Sequence, residues 1–178
     1  MFNQVIYING PSSSGKTTIA RMLQDKILVP YLYISIDLII EFMPKKLNDF
    51  TGKSKTIGYY FEKNKLVVGE YAKTINPLFH KIVLTMLENG HNVIIDDISF
   101  GKVQVDIWRD DLKNYNVLWI GVTASDEVLE LREKVRGDRK MGTAVEQNKI
   151  VHNGVNYDKL IDTSVKQIDE VVEDIMNL

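Results

Sequence analysis

The stretch "GPSSSGKT", residues 10 to 17, follows the apolar run "QVIYI" near the start of the chain. Its spacing, G-x-x-x-x-G-K-[ST], is that of a phosphate-binding loop, and such a loop dictates its own surroundings. A buried strand must deliver the chain to it. A helix must leave it, so that backbone N–H groups and the helix N-terminus face the phosphates. Here Gln4 to Ile8 reads as the strand and Lys16 to about Ile27 as the helix. Gly10 permits the sharp exit from the strand, and Gly15 lets the backbone approach a β-phosphate. Lys16 offers its ammonium to β/γ oxygens, and Thr17 a hydroxyl to Mg²⁺. Pro11, Ser12, Ser13, Ser14 and Thr18 complete the expected cradle.

The rest of the chain fits an α/β fold. Short β-branched runs alternate with longer amphipathic segments, the pattern of a parallel sheet. Further strands are expected at Leu32 to Ile36, Asn92 to Ile95 and Val117 to Val122, with a weaker one near Leu160 to Asp162. Helices are expected at Tyr71 to Glu88, Val103 to Lys113, Asp126 to Val135 and Val165 to Met176. Ser125 or Asp126 suits the start of one helix, Thr163 or Ser164 that of the last. Asn153-Gly154 suits a tight turn. The stretch from Pro44 to about Gly69 is less regular and reads as an insertion over the sheet edge. At 178 residues the chain fits a single domain.

Composition narrows the chemistry. There is no cysteine, which rules out disulfides, thiol nucleophiles and thiolate metal sites. His80, His91 and His152 are scattered and form no ligand pair, so no zinc site is expected. A net charge of −2 leaves no electrostatic footprint for nucleic acid. The N-terminus lacks the basic and long apolar regions of a signal peptide. The most apolar run, "YLYISIDLIIEFM", is broken by Asp37 and Glu41, so no membrane span is expected and the cytosol is the expected compartment.

Two acidic sites fall at strand ends, where ligands of open α/β sheets collect. "VIIDD" closes on Asp96-Asp97, like the strand that brings a carboxylate to a nucleotide-bound Mg²⁺. Adjacent strand residues point to opposite faces. Asp96 is therefore assigned to the metal, Asp97 to the acceptor side or a loop cap; the bland alternative is a pair of strand-end caps. "YISID" closes on Asp37. This carboxylate could orient an acceptor hydroxyl and take its proton, or cap the helix "LIIEFM"; spacing alone leaves both open. In "LREKVRGDRKMG", 131 to 142, Arg132 and Arg136 share a helix face and Arg139 follows a Gly-Asp break. These guanidinium groups suit a short lid over transferring phosphates. The bland alternative is a solvated basic face paired with Glu130 or Glu133.

Together "INGPSSSGKT", "ISIDLIIEFMP", "NVIIDD", "NVLWIGVTASDEVLELREKVRGDRKMGTAVEQNKIVHNGVNYD" and "IDTS" resemble the chloramphenicol phosphotransferase family, nearly end to end. The resemblance implies a compact three-layer P-loop kinase that moves the γ-phosphoryl group of ATP to a hydroxyl of a small molecule. It implies Lys16 and Thr17 on phosphates and metal, Asp37 as the base, and Arg132, Arg136 and Arg139 in the lid. The likeness fades between Pro44 and Ile82, where the acceptor pocket is expected. There Tyr59, Tyr60, Phe61 and Tyr71 could wall a ring-bearing acceptor or simply pack. Metabolite, nucleotide or polynucleotide 5′-end kinases, and a slowly hydrolysing P-loop switch, are the competing readings. Near the C-terminus "IDTS" is a candidate frame for the base.

Overall fold

The computed structural model describes residues 4–62, 65–137 and 140–178. In chain order the elements are β1 (Val5–Asn9), α1 (Lys16–Lys26), β2 (Tyr31–Ser35) and α2 (Ile36–Glu41). A 3₁₀ turn at Lys45–Leu47 leads to a hairpin, β3 (Tyr59–Glu62) and β4 (Lys65–Val68). Then come α3 (Glu70–Glu88), β5 (Asn92–Asp97), α4 (Gly101–Asp111), β6 (Val117–Thr123) and α5 (Asp126–Arg136). The chain closes with α6 (Thr143–Val151), β7 (Lys159–Asp162) and α7 (Ile168–Met176).

Five strands form one parallel sheet in the order β2-β5-β1-β6-β7, with β1 central and buried along its whole length. From β1 the chain steps to the edge at β2 and returns to β5. It then crosses to β6 and β7 on the other side. The crevice at such a reversal of strand order is where open α/β sheets bind ligands. Here it opens above Asn9 and Gly10.

Strand alternation builds the two cores. Ile6 and Ile8 pack with Ile19, Leu23 and Val171 under α1 and α7. Val5 and Tyr7 pack with Phe79, Val83 and Trp108 under α3 and α4. The same alternation separates Asp96 from Asp97.

Several elements differ from the sequence expectation. α7 starts at Ile168, not near Val165. Its cap is Gln167, whose side chain and that of Glu170 form a reciprocal capping box, while Thr163 is buried and engaged elsewhere. α6 and the hairpin have no counterpart among the expected elements, whereas α2 corresponds to the helix expected at "LIIEFM". The hairpin and the turn before it close a small cluster around Met43, Tyr59 and Ala72. Tyr59 and Phe61 are buried in packing, and Tyr71 is exposed on α3. Among the described residues no helix is long and apolar enough to cross a membrane.

Candidate functional site

The loop between β1 and α1 is shaped by two glycines. A Cβ on Gly10 would lie 2.1 Å from the Val122 carbonyl oxygen, so any side chain there collides with β6. Gly15 has φ 97°, in the left-handed region, and precedes the first residue of α1. Ser13 adopts φ 62° without being glycine, a costly conformation that its surroundings must hold.

Those surroundings are polar and come from distant parts of the chain. Gln147 Oε1 accepts from the Ser12 amide at 2.8 Å. Arg132 Nη1 reaches the Ser13 carbonyl at 3.3 Å and Thr163 Oγ1 at 2.9 Å, and its Nη2 donates to the Thr163 carbonyl at 3.1 Å. Thr163 Oγ1 in turn donates to the Ser14 carbonyl at 2.8 Å. Ser14 Oγ closes the loop on the Pro11 carbonyl at 2.9 Å. α5, α6 and the end of β7 thus fix the loop from outside.

A cleft of about 340 Å³ lies over this loop. Its floor carries Lys16, Thr17 and Asp96. The Lys16 ammonium donates to the Pro11 carbonyl at 2.8 Å and stands 3.8 Å from Asp96 Oδ1. Thr17 Oγ1 donates to Asp96 Oδ2 at 2.7 Å. Burial pushes the Asp96 carboxyl above its ordinary pKa, against the pull of Lys16, Thr17 and Tyr33. A hydroxyl and a desolvated carboxylate side by side are hard oxygen donors. They fit a Mg²⁺ ion that keeps water and nucleotide phosphates in the rest of its shell.

One side of the cleft carries Asp37, in the first turn of α2. Asp37 is not the cap. Ser35 is, its hydroxyl accepting from the Leu38 amide at 3.2 Å, and the Asp37 carboxylate is left half-exposed at the cleft. Opposite stand Arg132 and Arg136 of α5. Of the two carboxylates expected to pair with this basic face, Glu133 is only 2 % exposed and turns inward. Its carboxylate accepts from the amides of Gly142 at 2.5 Å and Ala144 at 3.0 Å, capping α6. Arg136 ends α5, and Gly137 terminates the helix in the left-handed conformation. Arg139 lies outside the described residues.

Asp97 is not among the residues that line the cleft. On the opposite face of β5 it accepts from Ser99 Oγ at 2.6 Å and Trp108 Nε1 at 2.8 Å, with Tyr7 close by. It closes the loop after β5, as a cap would. Asn9, at the end of β1, ties that loop down further. Its side chain donates to the Ser99 carbonyl at 3.1 Å and the Tyr157 hydroxyl at 2.8 Å, and accepts from the Ser99 amide at 2.8 Å. None of Tyr59, Tyr60, Phe61 and Tyr71 lines the cleft. Thr163, the threonine of "IDTS", supports the phosphate loop.

Sequence reasoning missed Gln147, Tyr33, Asn9 and the support role of Thr163. Each acts through a contact made only by the tertiary fold, with no local spacing to announce it.

With this geometry the comparison with known proteins is decisive. Residues 3–178 match the family described as chloramphenicol phosphotransferase-like protein. The chain belongs to that family. It is thus an enzyme of the phosphotransferase class, of the kind that acts on a hydroxyl of a small molecule. Two Mycobacterium tuberculosis proteins named for O-phosphotransferase activity, Rv2636 and MT2714, are each 28% identical over 184 aligned positions, covering 97% of this chain and 80% of theirs. Among solved structures, a sugar kinase from Janibacter sp. HTCC2649 superposes with a TM-score of 0.68 at 15% identity, covering 99% of this chain and 94% of its own. Shikimate kinase from Acinetobacter baumannii gives 0.59 at 18%, covering 97% and 90%. The tunicamycin resistance protein of Deinococcus radiodurans gives 0.62 at 17%, covering 97% and 93%. These likenesses establish a P-loop kinase fold for this family member.

Proposed function

We propose that the protein transfers the γ-phosphoryl group of ATP, with Mg²⁺, to the hydroxyl of a small molecule. The observation that carries this is the carboxylate of Asp37 lining the same cleft as Lys16, Thr17 and Asp96, with a guanidinium across from it. The P-loop amides and Lys16 would hold the phosphates, and Thr17 with Asp96 would hold the metal, which would supply charge neutralisation to the phosphates. Asp37 orients the acceptor hydroxyl and takes its proton as oxygen bonds to phosphorus and the bond to ADP breaks. Arg132 and Arg136, with Arg139 expected to join them, face the phosphate side. Arg132 is tied to the P-loop backbone, and Arg136, beside Asp37 at the cleft, meets the charge that develops on the transferring group. Most of the rate comes from position and charge, because phosphoryl transfer asks little covalent chemistry of the protein.

Chloramphenicol is the first acceptor to try, on the strength of the family. The segment from 44 to 82, where the likeness to that family fades, makes a panel of hydroxyl-bearing metabolites the necessary companion. The test is phosphate transfer from labelled ATP with Mg²⁺, wild type beside Asp37→Asn. Transfer is expected to fall about 10²-fold or more in the variant, with nucleotide affinity little changed. A variant at full rate removes Asp37 from the chemistry. ATP hydrolysis that no acceptor stimulates and the substitution does not alter would point to a switch module instead.

A further inference from the structure

The Asp96 carboxylate is held on one oxygen by two hydroxyls. Thr17 Oγ1 donates to Oδ2 at 2.7 Å and Tyr33 OH donates to the same atom at 3.1 Å. Oδ1 faces the Lys16 ammonium. Thr17 and Lys16 belong to the P-loop motif, whereas Tyr33 does not. It stands on the edge strand β2, two residues before Ser35, which lies in register with Asp96. Its ring packs onto the core beneath α1 and is not part of the cleft lining. Tyr33 therefore meets Asp96 from behind.

The ring is itself clamped. The Arg21 guanidinium carbon lies 3.7 Å from its centroid, a cation–π geometry. Arg21 Nη1 donates to Gln24 Oε1 at 3.0 Å, and Gln24 Nε2 donates to the Tyr31 carbonyl at 2.7 Å. Arg21 sits one helical turn beyond Thr17 on α1, so the residue that bonds Asp96 Oδ2 and the one that holds the Tyr33 ring share one helix face. A carboxylate held by Thr17 alone could pivot about that bond. A second donor, on a ring held beneath Arg21, restrains that pivot and keeps Asp96 aimed into the cleft.

We propose that Tyr33 is a positioning residue that fixes the Asp96 carboxylate for a divalent cation, with Arg21 holding the Tyr33 ring in place. The inference rests on the assignment of Asp96 and Thr17 to Mg²⁺ made above. It adds a partner outside the P-loop motif, of the kind whose loss typically lowers metal affinity 10- to 100-fold at other metal centres.

Calorimetry of ADP binding, with Mg²⁺ and again with EDTA, tests it. In the wild type Mg²⁺ is expected to tighten ADP binding. In Tyr33→Phe, which loses only a hydroxyl, that gain is expected to shrink about 10-fold while affinity in EDTA stays the same. In the transfer assay the variant then needs more Mg²⁺ for half-maximal rate and recovers at high Mg²⁺. Arg21→Ala, at an exposed position, is expected to lose about two- to fivefold of the same gain; it carries the test if Tyr33→Phe does not fold. A folded Tyr33→Phe with the full Mg²⁺ gain overturns the proposal. So does a parallel loss with and without Mg²⁺, which would mark Tyr33 as merely structural. No Mg²⁺ gain in the wild type would instead sink the metal assignment underneath.

Discussion

Asp37 and Arg136 face each other across the cleft, Arg136 Nη2 lying 3.9 Å from Asp37 Oδ2. Each side chain is more than two-fifths exposed, and an ion pair so open to water contributes little to stability. Its meaning is positional. The carboxylate proposed to take a proton and the guanidinium proposed to meet a phosphoryl group are already within reach of one another.

Arg136→Ala is expected to lower phosphoryl transfer about 10²-fold with a much smaller effect on nucleotide affinity. Charge that develops on the transferring group asks more of a guanidinium than the bound ground state does. Single-turnover rates beside calorimetric affinities check this, and equal losses in both would make Arg136 a simple binding residue.

Lys16→Ala is expected to weaken nucleotide binding and abolish measurable transfer. The substitution leaves the Asp96 carboxylate buried without its ammonium neighbour. Fluorescent-nucleotide titration and the labelled-ATP assay read the two effects separately; unchanged turnover would remove the P-loop from the reaction.

Glu133→Ala is expected to cost about 1–3 kcal/mol in urea unfolding, because the amides of Gly142 and Ala144 lose their acceptor at the start of α6. Glu130→Ala, on the exposed face of the same helix, is the control and should be nearly neutral. If the two variants match, the cap is not what holds α6.

Stability is expected to depend on His152 below neutral pH. Burial lowers the pKa of its ring from the ordinary 6.5, so the ring is neutral in both states above that value and its contribution is fully present there. As pH falls below about 6.5 the unfolded chain takes the proton first, and the native state loses stability until the lower folded value is passed. Urea midpoints at pH 7.5 and 5.5 should therefore differ less in His152→Gln than in the wild type.

What the sequence could reveal follows from how local each cause is. β1, the P-loop and α1 announce themselves, because a buried run, two glycines and a lysine at fixed spacing leave one arrangement. Asp96 and Asp97 divide as strand alternation requires. α6 is harder to see: "TAVEQNKIV" buries Thr143, Ala144, Gln147 and Val151, and polar residues on an inward face blur the periodicity. The start of α7 is misjudged because Thr163, an apt helix cap by residue type, is drawn away by Arg132 and Ser14. From spacing alone Asp37 reads equally as a cap or a base, and only the fold assigns the capping to Ser35. Tyr33 and Gln147 matter only through groups far along the chain.

The hairpin and the turn before it hang from the edge of the main sheet, add no strand to it, and close a small cluster of their own. The phosphate loop is braced by α5, α6 and the end of β7 instead. Mutations that rewrite residues 44 to 68 therefore leave that bracing untouched. A lineage can drift in that segment while the phosphate-loop half of the enzyme is inherited unchanged.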